Sequence, residues 1–282
     1  MFLFQTLDDP HNDDVYLFLL EIDYFGSGWG SIPGRLSQVS VGDGKIVGVN
    51  SAGQIYFRTG VLGRRPNGVG WKRIPGALKY VTVGDGKIMG VNKADQIFFR
   101  TGITSRRPDG TGWKLVPGRL IQITLGDGKI MGVNRANQIY FRLGVTASRP
   151  YGTGWKEIGG RLKHISVGDG KVIGVNSGDV IYYRTGVSAS RPYGTGWKSM
   201  PGRLKQIYVG GGRIIGVTKA NHIYYRTGVD KSTPFGKGWK RIAGSLKHIS
   251  AGYGKIIGVN KVDVIYFRKG VIPTKGVYSL VS

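Results

Sequence analysis

The chain has 282 residues, 41 of them Lys or Arg and 16 Asp or Glu, for a net charge of +25. It has no cysteine, which excludes disulfides and thiolate metal sites. No apolar run approaches the roughly 18 residues of a membrane-spanning helix, and two Glu set against abundant Tyr, Phe, Val and Ile favour strands over helices.

Residues 1–26 read as an acidic extension. Six acidic residues, Asp8, Asp9, Asp13, Asp14, Glu21 and Asp23, fall in the first 28, where there is no Lys or Arg. The rest of the chain therefore sets 41 basic residues against 10 acidic ones. A body so charged attracts polyanions such as nucleic acid, acidic glycans and phosphorylated lipids, and exceeds the ~2–8 charges that solubility asks of a small domain. The start makes a poor signal peptide, because it lacks basic residues and aspartates interrupt it before the short apolar run at 15–20.

From residue 27 the chain repeats. Trp29, Trp71, Trp113, Trp155, Trp197 and Trp239 are spaced 42 residues apart, each preceded by Gly and all but Trp29 followed by Lys. A fixed period in the 40s marks a toroidal repeat fold. In the unit 162–201, the stretch 162–167 is a short strand ended by Gly168-Asp169-Gly170, a hairpin signal. Lys171-Val172-Ile173-Gly174-Val175 is nearly all apolar and so is covered on both faces. Asn176-Ser177-Gly178-Asp179 turns the chain into a third strand, 180–184, and the residues 185–196 form a long loop. The fourth strand is predicted at 196–200, with Pro201-Gly202 crossing to the next unit. Four short antiparallel strands repeated six times predict an all-β, six-bladed β-propeller over residues 27–270, with a tail at 271–282.

The strand at 162–167 is placed nearest the axis, where small residues such as Ser166 fit. The last unit then lacks its Trp strand and the first Trp strand lacks its unit. The two deficits cancel if the strand near Trp29 pairs with the last blade and closes the ring.

Strand direction sorts the turns onto two rims. The hairpins and long loops share one, here called the loop rim, and the Asn turns and Pro-Gly crossings share the other. The loop rim carries a basic residue after each hairpin: Lys45, Lys87, Lys129, Lys171, Arg213 and Lys255. Four are accompanied by Asp43, Asp85, Asp127 and Asp169, whereas Gly211 and Tyr253 take that place in the last two, so an anion-attracting ring is expected to be strongest near Arg213 and Lys255. The competing reading is a solvated Asp/Lys turn repeated six times. The long loops present Arg65, Arg107, Arg149 with Tyr151, Arg191 with Tyr193, and Phe235. Exposed aromatic plates beside cationic donors suit a sugar ring and its hydroxyl or phosphate oxygens; alternatively the Pro-Tyr-Gly segment packs the turn onto the next blade's Trp. The tryptophans themselves read as staples between blades. Arg58, Arg100, Arg142, Arg184, Arg226 and Arg268 are expected on exposed outer positions, and the Asn of Gly-Val-Asn in left-handed or Asx turns.

No catalytic constellation or metal-ligand spacing appears among four His, two Glu and mostly turn-borne Asp. The chain is read as a non-enzyme without a cofactor.

The unit Gly-Trp-Lys-x-(Ile/Met)-Pro-Gly-x-Leu-Lys-x-Ile-x-Val-Gly-x-Gly-Lys-Ile-x-Gly-Val-Asn, closing on Ile-Tyr-x-Arg, resembles the tectonin repeat over residues 27–268. That family includes tachylectin-1 and the fish egg lectins. The resemblance implies a six-bladed propeller lectin that binds bacterial lipopolysaccharide or other cell-surface glycans, agglutinates bacteria and acts outside the cell. The alternative is a cytoplasmic propeller that binds proteins or acidic phospholipids. Nucleic acid is the weakest reading, since no base-stacking series is present.

Overall fold

The computed structural model describes residues 25–271. The predicted extension at 1–26 and tail at 271–282 therefore fall almost wholly outside the described residues. Six four-stranded antiparallel sheets are arranged in a ring, and no helix occurs among the described residues. Blades 1 to 5 span residues 38–77, 80–119, 122–161, 164–203 and 206–245. In blade 4 the strands run His164–Gly168, Lys171–Val175, Val180–Thr185 and Gly196–Arg203, from the axis outward. The predicted inner strand is thus the observed one.

Blade 6 is made from both ends of the ring. His248–Gly252, Lys255–Val259 and Val264–Lys269 supply three strands and Gly28–Arg35 the fourth. Trp29 pairs with Arg268 and Ile32 with Ile265. The predicted closure is present.

Each hairpin closes on two residues with positive φ, as at Asp43 (50°) and Gly44 (69°). This type I′ geometry suits Asp-Gly and matches the twist of the strands it joins. At the other end of the second strand the Asn side chain acts as an Asx clamp: Asn50 Oδ1 accepts the Gln54 amide at 2.9 Å. Thr218 does the same with its hydroxyl, accepting from His222 at 3.1 Å. The left-handed residue lies further along the turn, at Asp95, Asn137, Asp179, Asn221 and Asp263.

The Pro-Gly step departs from expectation. It is a bulge within an outer strand that continues to Arg203, because register shifts between the Ile181–Met200 and Val180–Arg203 pairs. The bulge turns a carbonyl toward the next blade, and the Trp indole there takes it. Trp71 Nε1 donates to Pro33 O at 2.8 Å, Trp155 to Pro117 O at 2.8 Å and Trp239 to Pro201 O at 2.7 Å. Gly follows the Pro because its φ is near 113° at Gly34 and a Cβ there would lie 3.0 Å from the Trp71 Nε1.

The core lies between blades. Val47, Val49, Ile55 and Ile74 of blade 1 pack on Leu78, Val81, Val83 and Ile88 of blade 2, and five equivalent clusters complete the ring. Inner strands converge so closely that a Cβ on Gly42 would lie 2.4 Å from Val83 O. Small hydroxyl residues face the axis and bridge neighbours: Val83 N donates to Ser40 Oγ and Val209 N to Ser166 Oγ. Blade 5 breaks the pattern with Tyr208, whose hydroxyl lies 2.6 Å from that of Tyr80 on the opposite blade 2. This pair bars the axis partway through the ring.

Candidate ligand-binding rim

Each long loop leaves the third strand just after a buried arginine. Arg142 is buried, as are Arg58, Arg100, Arg184 and Arg226, and Arg268 is half-buried. This corrects the expected exposed positions. The loop runs its carbonyls away from any ladder, so they need donors. Arg142 Nε donates to Tyr151 O at 2.7 Å and Nη2 to Gly152 O at 3.3 Å. Arg58 does the same to Asn67 and Gly68, and Arg268 to Phe25 and Gly26. Each guanidinium also lies about 5 Å from the centroid of the Trp ring on its paired strand, as for Arg142 over Trp155 at 4.9 Å. Burial lowers the pKa values of Arg58, Arg100, Arg142, Arg184 and Arg226 from the usual range.

The loop tip is equally fixed. The Arg149 amide donates to Thr146 Oγ1 at 3.0 Å, and the Gly152 amide to Arg149 O at 2.9 Å. Arg191 repeats this with Ser188 and Gly194. The side chains of Arg65, Arg107, Arg149 and Arg191 are exposed, held at matching points around the rim.

The aromatic plates are not exposed as the sequence led one to expect. Tyr151, Tyr193 and Phe235 are half-buried and lean on the preceding blade. Tyr151 sits 5.5 Å from Phe99, Tyr193 5.5 Å from Phe141, and Phe235 stacks on Tyr183 at 3.9 Å. Phe25 completes the series against Tyr225 at 3.6 Å. They pack on third-strand aromatics and not on the next blade's Trp. In two blades the lysine after the Trp covers the plate: Lys114 Nζ donates to the Tyr151 hydroxyl at 2.8 Å, which lowers that phenol's pKa. Lys156 stands 5.3 Å over Tyr193, and Lys72 forms a 2.7 Å ion pair with Asp109, which takes the plate position in blade 2. Sequence reasoning assigned these lysines no role, although their recurrence after Trp was the available signal.

The hairpin ring is a set of clasps. Asp43 accepts the Gly86 amide at 2.6 Å, and Asp85, Asp127 and Asp169 accept those of Gly128, Gly170 and Gly212 at 2.7 Å. Each carboxylate thus ties its hairpin to the next one. Burial, reinforced by neighbouring aspartates, raises the pKa values of Asp85 and Asp169 above the usual carboxylate range. Lys87, Lys129 and Lys171 are half-buried and donate to the Asp carbonyl two residues back, and Lys45 lies 3.5 Å from its own.

Arg213 does not strengthen an exposed ring. It is 2 % exposed, donates to Gly211 O at 2.9 Å and lies 5.6 Å from the Phe25 ring centroid. Its longer side chain fills the space beneath that ring. Lys255 is half-buried, 5.5 Å from the exposed Tyr253 ring, and burial lowers its pKa.

Two grooves open between blades on this rim. One, of about 550 Å³ between blades 2 and 3, is lined by Lys87, Phe99, Ile103, Thr146 and Pro150. The other, of about 580 Å³ between blades 3 and 4, brings Lys129 and Tyr193 together with Phe141, Ser188 and Pro192. Smaller clefts of about 200 to 240 Å³ lie on the other rim beside Trp29, Trp155 and Trp239. Among the described residues, no group of three or more His, Asp or Glu is placed to hold a metal ion.

A family model described as the tectonin domain matches residues 12–120 and 120–280. No curated protein matches the chain. Solved structures share the fold at low identity. Human WBSCR16 superposes with a TM-score of 0.54 at 10 % identity, covering 83 % of this chain and 72 % of that one. A structure described as Kap60 bound to yeast RCC1 (Prp20) gives 0.51 at 13 %, covering 84 % and 73 %. YCF48 from Cyanidioschyzon merolae gives 0.51 at 12 %, covering 83 % and 82 %.

Proposed function

The chain belongs to the tectonin family, and from that premise we propose that it is a non-catalytic lectin for bacterial lipopolysaccharide or other anionic cell-surface glycans, engaged through its loop rim. The observation that carries this reading is the fixed set of exposed arginines at the loop tips, Arg65, Arg107, Arg149 and Arg191, two of which, Arg149 and Arg191, directly precede the groove-lining Pro150 and Pro192. Guanidinium groups bind phosphate and carboxylate bidentately. Several weak contacts spaced around one rigid rim gain by simultaneous engagement on a repetitive surface. With the plates packed away between blades, sugar specificity shifts from open stacking platforms to the groove walls, where Tyr193, Ser188 and Lys129 converge. Recognition of bacteria implies action outside the cell, with agglutination as its outcome.

The test is retention on bacterial cells and immobilised lipopolysaccharide at two salt concentrations, with free sugar as competitor. Binding is expected to fall with salt and with sugar. Absence of binding at low salt would reject the proposal. A competing role in protein interaction is favoured by one pair of residues: Leu62 and Val69 are exposed together on the loop of blade 1. Capture of a protein partner lost in a Leu62→Ser variant, without glycan binding, would decide for it.

A further inference from the structure

Two hairpin amides lack the carboxylate that clasps the other four. Gly254 and Gly44 hold the places of Gly86, Gly128, Gly170 and Gly212, but the residues in the clasp position are Gly211 and Tyr253. Among the described residues no acceptor meets the Gly254 amide. The backbone at Gly211 is nevertheless that of a clasp, since its φ of 63° is close to the 53° of Asp169. Only the side chain is gone. A Cβ built there would find three nitrogens as its nearest neighbours: Tyr253 N at 3.5 Å, Gly254 N at 3.6 Å and Arg213 Nη1 at 3.7 Å.

Asp169 shows what suits such a point. Its carboxylate accepts the Gly212 amide at 2.7 Å and the adjoining Gly211 amide. These are the equivalents, one blade earlier, of Gly254 and Tyr253. Successive amides of a turn form a concavity that favours an anion. The charge around Gly211 favours one too. Arg213 replaces the lysine that follows the other five hairpins, and Lys255 follows the next. Asp85 stands between Asp43 and Asp127, which push its pKa up. The gap at Gly211 has a carboxylate on one side only, at Asp169, because Tyr253 stands on the other. Gly211 and Gly254 are half-buried, so the gap opens to solvent on the loop rim.

Tyr253 is the second irregular feature. It is 50 % exposed, and the Lys255 ammonium lies 5.5 Å from its ring centroid. Its φ of 52° is one that bulky residues seldom adopt. Such strain concentrates at ligand sites.

We propose that the gap at Gly211 binds the carboxylate of a sugar acid of the uronic class. The carboxylate accepts the Gly254 amide, as Asp169 accepts that of Gly212, within the field of Arg213. The pyranose lies along the Tyr253 ring with Lys255 beside it. The carboxylate site stands on this geometry alone, whereas the sugar that bears the group rests on the glycan reading.

Titration of the full chain with sodium glucuronate, sodium acetate and glucose, followed by proton–nitrogen correlation spectra, tests this. Both acids should move the Gly254 amide signal to saturation and leave those of Gly86, Gly128, Gly170 and Gly212 in place. Glucose should move none of them. Gly211→Asp puts a carboxylate in the gap and should abolish the response to both acids while raising the melting temperature, which separates a filled site from a misfolded chain. Tyr253→Gly, compatible with the positive φ, should weaken glucuronate roughly threefold and leave acetate unchanged. A Gly254 signal indifferent to both acids, or a Gly211→Asp chain that still responds, overturns the site. Acetate binding as tightly as glucuronate overturns the sugar. Saturable movement of Gly254 in a chain that lipopolysaccharide does not retain assigns that failure to the glycan reading and supports the site.

Discussion

The indole Nε1 of Trp29 donates to the carbonyl of Ala243 at 2.7 Å across 214 residues of sequence. It belongs to the strand that closes blade 6, and it reaches blade 5 by the same bulge contact that every other Trp makes. The closing strand thus meets both of its neighbours as an ordinary outer strand would.

Ring closure predicts a stability cost at that strand. Ile32, 2 % exposed, is a core residue of the closing strand. Ile32→Ala should cost about 2–5 kcal/mol, a fall of ~4–20 °C in Tm at roughly 2–4 °C per kcal/mol. Removal of residues 1–34 should lower Tm further or prevent folding. A truncated chain that melts like the full one would refute closure.

The buried arginines predict a split between two kinds of loop residue. Arg142→Met removes two charge-assisted bonds to loop carbonyls, each worth about 1.5–3 kcal/mol, and should open the loop after the third strand of blade 3 to protease. Arg149→Ala, three residues from Gly152 at the same loop's tip, should change stability by less than ~0.5 kcal/mol. Limited proteolysis alongside melting curves separates the two.

The exposed arginines predict a binding phenotype. Replacing Arg65, Arg107, Arg149 and Arg191 with Ala should reduce retention on lipopolysaccharide at least tenfold at low salt and flatten its salt dependence. Retention equal to that of the unaltered chain would move the site off the loop rim.

The axial histidines predict a pH dependence. Burial holds the His164 pKa at about 3 and that of His248 well below the usual value near 6.5, with nearby Lys163, Lys205 and Lys247 acting the same way. The unfolded chain therefore binds more protons than the folded one below pH ~6.5, so stability falls as pH drops through that value. Each histidine contributes a slope of about 1.4 kcal/mol per pH unit below its unfolded pKa. Denaturant midpoints at pH 7.5 and 5 should differ, and His164→Gln should reduce the difference. Equal midpoints would show that these rings titrate normally.

The 42-residue period made the ring, its closure and its innermost strand readable, because turn residues and strand pairing are local and repeat six times. Side-chain direction was less readable. Arg142 looked exposed because a charged residue near a strand end usually is; its need arises from carbonyls nine and ten residues later. Tyr151 looked like an open plate because its partner, Phe99, lies in another repeat. The recurring aromatic at Phe57, Phe99, Phe141, Tyr183, Tyr225 and Phe267 was the clue that a second row existed for the plates to meet. Tyr208 could be seen to replace a small residue, but only the geometry revealed that it meets Tyr80.

The four carboxylate clasps run from blade 1 to blade 5 without a gap, and Gly211 and Tyr253 supply none at the two junctions that flank blade 6. The carboxylate clasps therefore join five blades in an arc, and blade 6 is held to its neighbours by other contacts, Trp29 Nε1 to Ala243 O and Val41 N to Ser250 Oγ. Opening should begin at the two uncarboxylated joints, where amide exchange at Gly254 and Gly44 would outpace that at Gly86, Gly128, Gly170 and Gly212. Replacing Gly211 with Asp, the residue found at the other clasps, should lengthen the lifetime of the closed ring by slowing its first opening step.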